Sequence, residues 1–292
     1  MHGLPLTLAP CQSVAMTVSS RASEALAEAK SEIENPDWLK LLARVGFGAK
    51  GVVYLVVGAL AAQGVAGTGP EGALTAIVRQ PFGRVMLGIV AVGLLAYAAW
   101  RIVQGVLDPE REGSDGKALA KRVGYCCSGV VYLALALSAA RLVIGDGGGG
   151  SGGGAEGWTA KLMSVTFGQW LVALVGLGVL GGGAHQAKQA IGGDFMEKFA
   201  RGEMSATQRT WVERAGRLGH AARAVLYAIV GGFLLHAAWT ANAEQAGGIG
   251  QALDKIQEQP YGPWLLVAAG VGLVCYGLYC FVMARYRKAV VL

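Results

Sequence analysis

The sequence predicts an all-α integral membrane protein, a six-helix bundle built from three tandem helical-hairpin repeats and pseudo-threefold about the membrane normal. Three observations predict it. Six apolar stretches are each long enough to cross a bilayer and contain no Asp or Glu. Lys and Arg crowd into alternate connections. A two-helix unit with its own signature residues occurs three times.

The stretches are 45–66, 84–106, 123–144, 169–190, 219–240 and 263–284. A hydrocarbon core about 30 Å thick needs about 20 apolar residues of helix. Of the 292 residues, 53% are hydrophobic and 15% charged, whereas soluble domains carry about 25% charged residues. Many of the 46 glycines lie inside the apolar stretches. There a soluble helix would lose about 1 kcal/mol each, but a membrane helix gains close approach to its neighbours.

The amino-terminal side of the first stretch carries Arg21, Lys30, Lys40 and Arg44, and the second connection Arg111, Lys117, Lys121 and Arg122. Lys198, Arg201, Arg209, Arg214 and Arg217 occupy the fourth, and Arg285, Arg287 and Lys288 the tail. The other connections are poor in basic residues, which places both termini in the cytoplasm by the positive-inside rule. That spacing also explains the net charge of +6, so no nucleic-acid partner is expected. Residues 1–36 read as a cytoplasmic segment, partly disordered, with a polar helix at 20–34 and no signal-peptide pattern before it. Five cysteines, four of them in apolar stretches, give no disulfide framework.

The repeats span 37–110, 111–195 and 196–288, followed by a tail at 289–292. Their first helices open Arg44-Val45-Gly46-Phe47, Arg122-Val123-Gly124-Tyr125 and Arg217-Leu218-Gly219-His220, each with Tyr ten residues after the Arg. In the outer connections, 73–83 matches 252–262, both ending Pro-aromatic-Gly, while the middle copy keeps only Thr166-Phe167-Gly168. A Gly-rich linker at 146–157 is expected before it. Leu74, Ile77 and Val78 give the first connector an apolar face suited to the outer headgroup layer. Pro81 and Pro260 suit the first turn of the following helices. Gly93, Gly178 and Gly272 fall at equal distances beyond.

These Arg-x-Gly-aromatic and Pro-aromatic-Gly signatures resemble a bacterial membrane-protein family catalogued as domain of unknown function twelve-zero-six. The resemblance covers roughly residues 37–288. It implies three tandem two-helix units and no assigned chemistry.

Arg, aromatic, small residue and Tyr at spacings 0, 3, 7 and 10 share one helical stripe. Convergence of the stripes would make a cytoplasmic ring of Arg44, Arg122 and Arg217, with Tyr54, Tyr132 and Tyr227 on the axis beneath. Lipid anchoring is the plainer use of such arginines. Lys50 and Arg223 share a repeat position two turns inside, where the middle copy has Ser128. Charges there usually face a bundle interior, and both are candidate contacts for an anion or lipid headgroup. His185, His220, Cys126, Cys127 and Cys280 show no ligand spacing, and no cofactor or metal is expected. Intramembrane carboxylates, the usual equipment of ion-coupled transport, are missing from the six stretches.

The expectation is a multi-pass protein of the bacterial cytoplasmic membrane, not an enzyme, serving as a scaffold or as a lipid- or protein-binding module. Its expected partners are lipids, anionic on the cytoplasmic side, and a membrane protein or a second copy. The alternative is a passive channel or transporter lined by the Arg and Tyr stripes.

Overall fold

The computed structural model describes residues 36–64, 69–108, 115–145, 155–199 and 204–286. The expected polar helix at 20–34, the glycine tract 147–154 and the tail lie outside them. Among the described residues nine α-helices follow one another: α1 (Pro36–Ala62), α2 (Pro70–Val78), α3 (Gly83–Leu107), α4 (Gly116–Ile144), α5 (Ala155–Met163), α6 (Gly168–Gly192), α7 (Ala206–Thr240), α8 (Ile249–Gln257) and α9 (Gly262–Tyr286). The six long ones are apolar enough to cross a membrane. A 3-10 turn, Asp194–Lys198, follows α6.

Local chemistry sets these limits. α1, described from Pro36, ends at Ala62, short of the expected 66. α7 starts at Ala206, well before 219, because Ser205 and Gln208 exchange hydrogen bonds with each other's backbone as a capping box. α5 gives the middle connector the short helix expected of each copy, although its signature is reduced to Thr166-Phe167-Gly168. Its residues 155–157 fall inside the expected linker.

Two further expectations are corrected. Pro81 and Pro260 do not sit in the first turn of α3 and α9. Each precedes an aromatic residue with left-handed backbone, and the helix begins one residue later, on Gly83 and Gly262. Phe82, Phe167 and Tyr261 share this conformation at φ 59°, 65° and 63°, and all three rings are exposed. The glycine after each is obligatory, because a Cβ there would collide with a carbonyl of the preceding connector. The connectors also do not rest their apolar faces in lipid. Ala73, Leu74 and Ile77 of α2, with Ala252, Leu253 and Ile256 of α8, are buried in the protein and close one end of the bundle.

The most extensive contacts join α1 to α9, α3 to α4, and α6 to α7, each pairing the second helix of one repeat with the first helix of another. Register recurs across these seams. A Cβ on Gly51 would lie 3.0 Å from the Gly277 carbonyl, one on Gly129 3.2 Å from that of Ala98, and one on Gly183 3.4 Å from that of Ala224. Dispersion between backbones at such approach, rather than water exclusion, holds membrane helices together.

Within repeats, packing differs. In the first repeat Gly93 meets Ala49, and a Cβ on Gly46 would lie 2.7 Å from the Tyr97 backbone; in the third, Gly272 meets Ala222 and Gly219 lies equally close to Tyr276. In the middle repeat Gly178 and Gly124 have nothing within 4 Å of a would-be Cβ, and Cys127, the counterpart of Ala49 and Ala222, is exposed. α1 packs on α3 and α7 on α9, whereas α4 and α6 barely meet. They are also the least buried of the six long helices. The middle hairpin stands open.

Candidate functional site

Lys50 and Arg223 are 2% and 6% exposed. Lys50 lies nine residues into the apolar span of α1 and twelve before its end, so a rise of 1.5 Å per residue places it roughly 14 and 18 Å from the two ends. Removing an ion from water costs several kcal/mol even after relaxation, and the surroundings show what offsets it.

The Lys50 ammonium donates to the Tyr97 hydroxyl at 2.8 Å and stands 4.6, 5.3, 5.4 and 5.9 Å from the ring centres of Tyr97, Tyr132, Tyr276 and Tyr54. The Arg223 guanidinium lies 4.3, 4.8 and 5.5 Å from Tyr276, Tyr227 and Tyr54, and donates through Nη2 to the Tyr227 hydroxyl. Edge-to-face contacts lock the cage, Tyr54 against Tyr276 at 4.8 Å and Tyr97 against Tyr132 at 4.6 Å. Each cation over a ring gains about 0.5–2 kcal/mol.

Tyr276 lies beside both cations, so they are no farther apart than its 5.4 and 4.3 Å laid end to end. At an effective dielectric near 20 their repulsion costs about 2 kcal/mol. No Asp or Glu occurs in any of the six apolar stretches to offset it. Arg223 Nε is buried without a hydrogen-bond partner, an arrangement worth about 1–3 kcal/mol against the fold. The Tyr97 and Tyr227 hydroxyls accept from the two cations, and positive charge and a buried donor remain in excess.

The fold brings together five of the eight residues singled out from sequence: Lys50, Arg223, Tyr54, Tyr132 and Tyr227. The three outer arginines stand elsewhere. Arg122 donates at 2.9 and 2.8 Å to the carbonyls of Gly105 and Val106, the free C-terminal acceptors of α3. Arg217 lies beside Gly193, the left-handed cap of α6, and pairs with Glu213 at 2.8 Å. Arg44 is exposed. A cation at a helix C-terminus is favoured by the peptide dipoles, and that is what Arg122 and Arg217 supply.

Three members of the site were missed. Tyr97 and Tyr276 come from the even-numbered long helices, four residues past the aligned Gly93 and Gly272, where the middle repeat has Gly182. That offset was a usable signal. Arg101 donates to the Tyr97 hydroxyl at 2.9 Å and to Gln104 at 3.2 Å. Towards the termini the cluster is covered by Phe195, 1% exposed, whose ring packs on His220 and Tyr279 at 4.9 and 5.3 Å. His220 packs on Tyr276 at 5.5 Å and bonds to Gln186 of α6.

Residues 45–108, 123–193 and 218–287 match the family described as Domain of Unknown Function (DUF1206), each segment holding two of the long helices. The chain belongs to this family. It is also 32% identical over 262 residues to a Bacillus subtilis (strain 168) protein named Uncharacterized protein YxxB, across 88% of this chain and 94% of the relative. No solved structure matches. This chain is thus a multi-pass membrane protein with three DUF1206 segments, and two of the three carry a buried cation to one place.

Proposed function

We propose that this protein is a non-enzymatic anion-binding bundle of the bacterial cytoplasmic membrane. Its three repeats stand about a pseudo-threefold axis, and both termini are cytoplasmic. One observation carries the reading: Lys50 and Arg223, two buried cations from equivalent positions, share a tyrosine cage with no carboxylate in the apolar stretches and one buried donor unspent. An anion there would accept from Arg223 Nε and from the ammonium, and would screen the repulsion between them. The recurring register of the three seams supports the axis, and the alternation of basic connections supports the orientation. Anionic lipids of the cytoplasmic leaflet are the nearest partners.

Conduction along the axis is less well supported. Phe195, His220 and Tyr279 fill the terminal side, and Leu74 and Leu253 the connector side. Binding, rather than flux, suits a site closed at both ends.

The test is a thermal melt of the full chain in detergent against increasing inorganic phosphate. A ligand that binds only the folded state adds about 2.7 kcal/mol at a hundred times its dissociation constant. The wild type is expected to rise in melting temperature and Arg223→Gln to stay flat. A wild-type melting point indifferent to phosphate and to sulfate rejects the anion site.

A further inference from the structure

We infer that the opening between α4 and α6 is a lateral port through which an amphiphilic anion, a membrane lipid with an anionic headgroup, reaches Lys50 and Arg223 from the bilayer. The inference rests on the anion-site reading and adds the source of the ligand and its route.

Four observations converge. The cluster is closed along the axis, by the Phe195 ring on one side and by the buried faces of α2 and α8 on the other. Five of the six neighbouring pairs of long helices in the order α1, α3, α4, α6, α7, α9 pack on each other, and the exception is α4 with α6. Gly124 on α4, and Gly178 and Gly181 on α6, have no neighbour within 4 Å of a would-be Cβ, and Cys127 is exposed between repeat positions that are sealed by alanine elsewhere. The walls of this opening are also walls of the cluster. Tyr132 of α4, half-buried, holds its ring 5.3 Å from the Lys50 ammonium, and half-buried Tyr227, which bonds to Arg223, rests on Gly182 and Gly183 of α6.

The middle repeat gives up bulk and charge at this level. Ser128 stands where its sisters carry Lys50 and Arg223, and Gly182 where they carry Tyr97 and Tyr276. The cation and the tyrosine that the other two repeats carry at these positions are replaced here by small residues, so the middle repeat adds neither charge nor bulk. Arg223 Nε, buried and without a partner, supplies a donor for an oxyanion independently of those glycines. Charge complementarity then selects the occupant. Hydrocarbon is what bathes a lateral opening in a bundle, and only the anionic headgroup of a lipid can satisfy the cations while its tails stay in that hydrocarbon. Lys50 lies roughly 14 Å from the Leu41 end of the apolar span, so a headgroup reaches it by tucking between two and three turns below the interface.

Native mass spectrometry of the full chain tests this, with phosphatidylglycerol, phosphatidylcholine and, by melting, inorganic phosphate as separate ligands. Wild type is expected to retain phosphatidylglycerol at least tenfold more tightly than phosphatidylcholine. Gly178→Leu and Gly124→Leu, which block the opening, are expected to weaken phosphatidylglycerol at least tenfold and to leave the phosphate-induced melting shift within twofold. Arg223→Gln loses both ligands, while Arg223→Lys, which keeps the charge, retains part of each and reports on folding. If phosphate binds but phosphatidylglycerol is held no better than phosphatidylcholine, the port is overturned and the anion site stands. If Gly178→Leu and Gly124→Leu retain the lipid fully, it binds elsewhere and the port is again overturned. If neither phosphate nor phosphatidylglycerol binds, the site fails and the port with it.

Discussion

Lys50 has exchanged water for four tyrosine rings and one hydroxyl, while a second cation shares one of its walls. Losing its hydrogen bond to Tyr97 costs about 0.5–1.5 kcal/mol, and that hydroxyl would still receive Arg101. The four ring contacts of the ammonium, about 0.5–2 kcal/mol each, are replaced in good part by those a methionine sulfur makes with the same rings. Relief of desolvation and repulsion is then the larger change. Lys50→Met is therefore expected to melt higher than wild type in anion-free detergent and to gain nothing from added phosphate. A lower melting point in that buffer would show that the ammonium is held at no net cost. Lys50 and Arg223 were legible in the sequence because a charge inside an apolar run is costly in lipid and so turns toward the bundle interior. Tyr97 and Tyr276 were not, since tyrosine is ordinary in membrane helices, and only their shared distance from an aligned glycine marked them. An axial ring of the three outer arginines was one of two uses the stripe allowed, beside the plainer one of lipid anchoring, because the stripe was followed along one helix. Arg122 instead reaches across a seam to the carbonyl end of α3.

At the scale of helices, the seam between α1 and α9 sets where Lys50 can stand. A Cβ on Gly58 would lie 2.6 Å from the Gly270 carbonyl, and one on Gly270 the same distance from that of Gly58. Neither backbone can yield without moving its helix. Gly58→Leu is expected to destabilise by about 1–3 kcal/mol, the usual result of overpacking, and to lower the melting point of the full chain in detergent. Gly88→Leu, at a glycine with nothing within 4 Å, is the control and is expected to melt like wild type. Equal losses in both variants would place the cost in helix propensity or solubility rather than in the seam. The six long helices could be read from hydropathy alone, since length and lack of acids suffice. Their unequal packing could not. The glycines of α4 and α6 look no different in sequence from those of sealed pairs, and only partners absent from their neighbourhood distinguish them. The connectors misled for a related reason: an apolar face on a short helix suits lipid and protein alike, and Leu74 chose protein.

The whole molecule is fixed in the bilayer by its ends. A reporter fused at either terminus is expected to be active only on the cytoplasmic side, and a cysteine placed in the loop after α1 to react with an impermeant thiol reagent from outside; opposite sides for the two termini would invert half the bundle and rule out the proposed orientation. At the connector end Phe82, Phe167 and Tyr261 protrude, 85%, 74% and 82% exposed, on backbone that an L-residue adopts at a cost of about 1–2 kcal/mol. Such aromatic side chains prefer the zone between headgroups and hydrocarbon. On the proposed threefold arrangement these rings, one per hairpin, would stand as three feet at one face of the membrane, and three feet would resist rocking in every direction. In a thinner or thicker bilayer such a protein would ride up or down as a level body rather than leaning, and its two inner cations would keep a constant distance from one leaflet while the other adjusted.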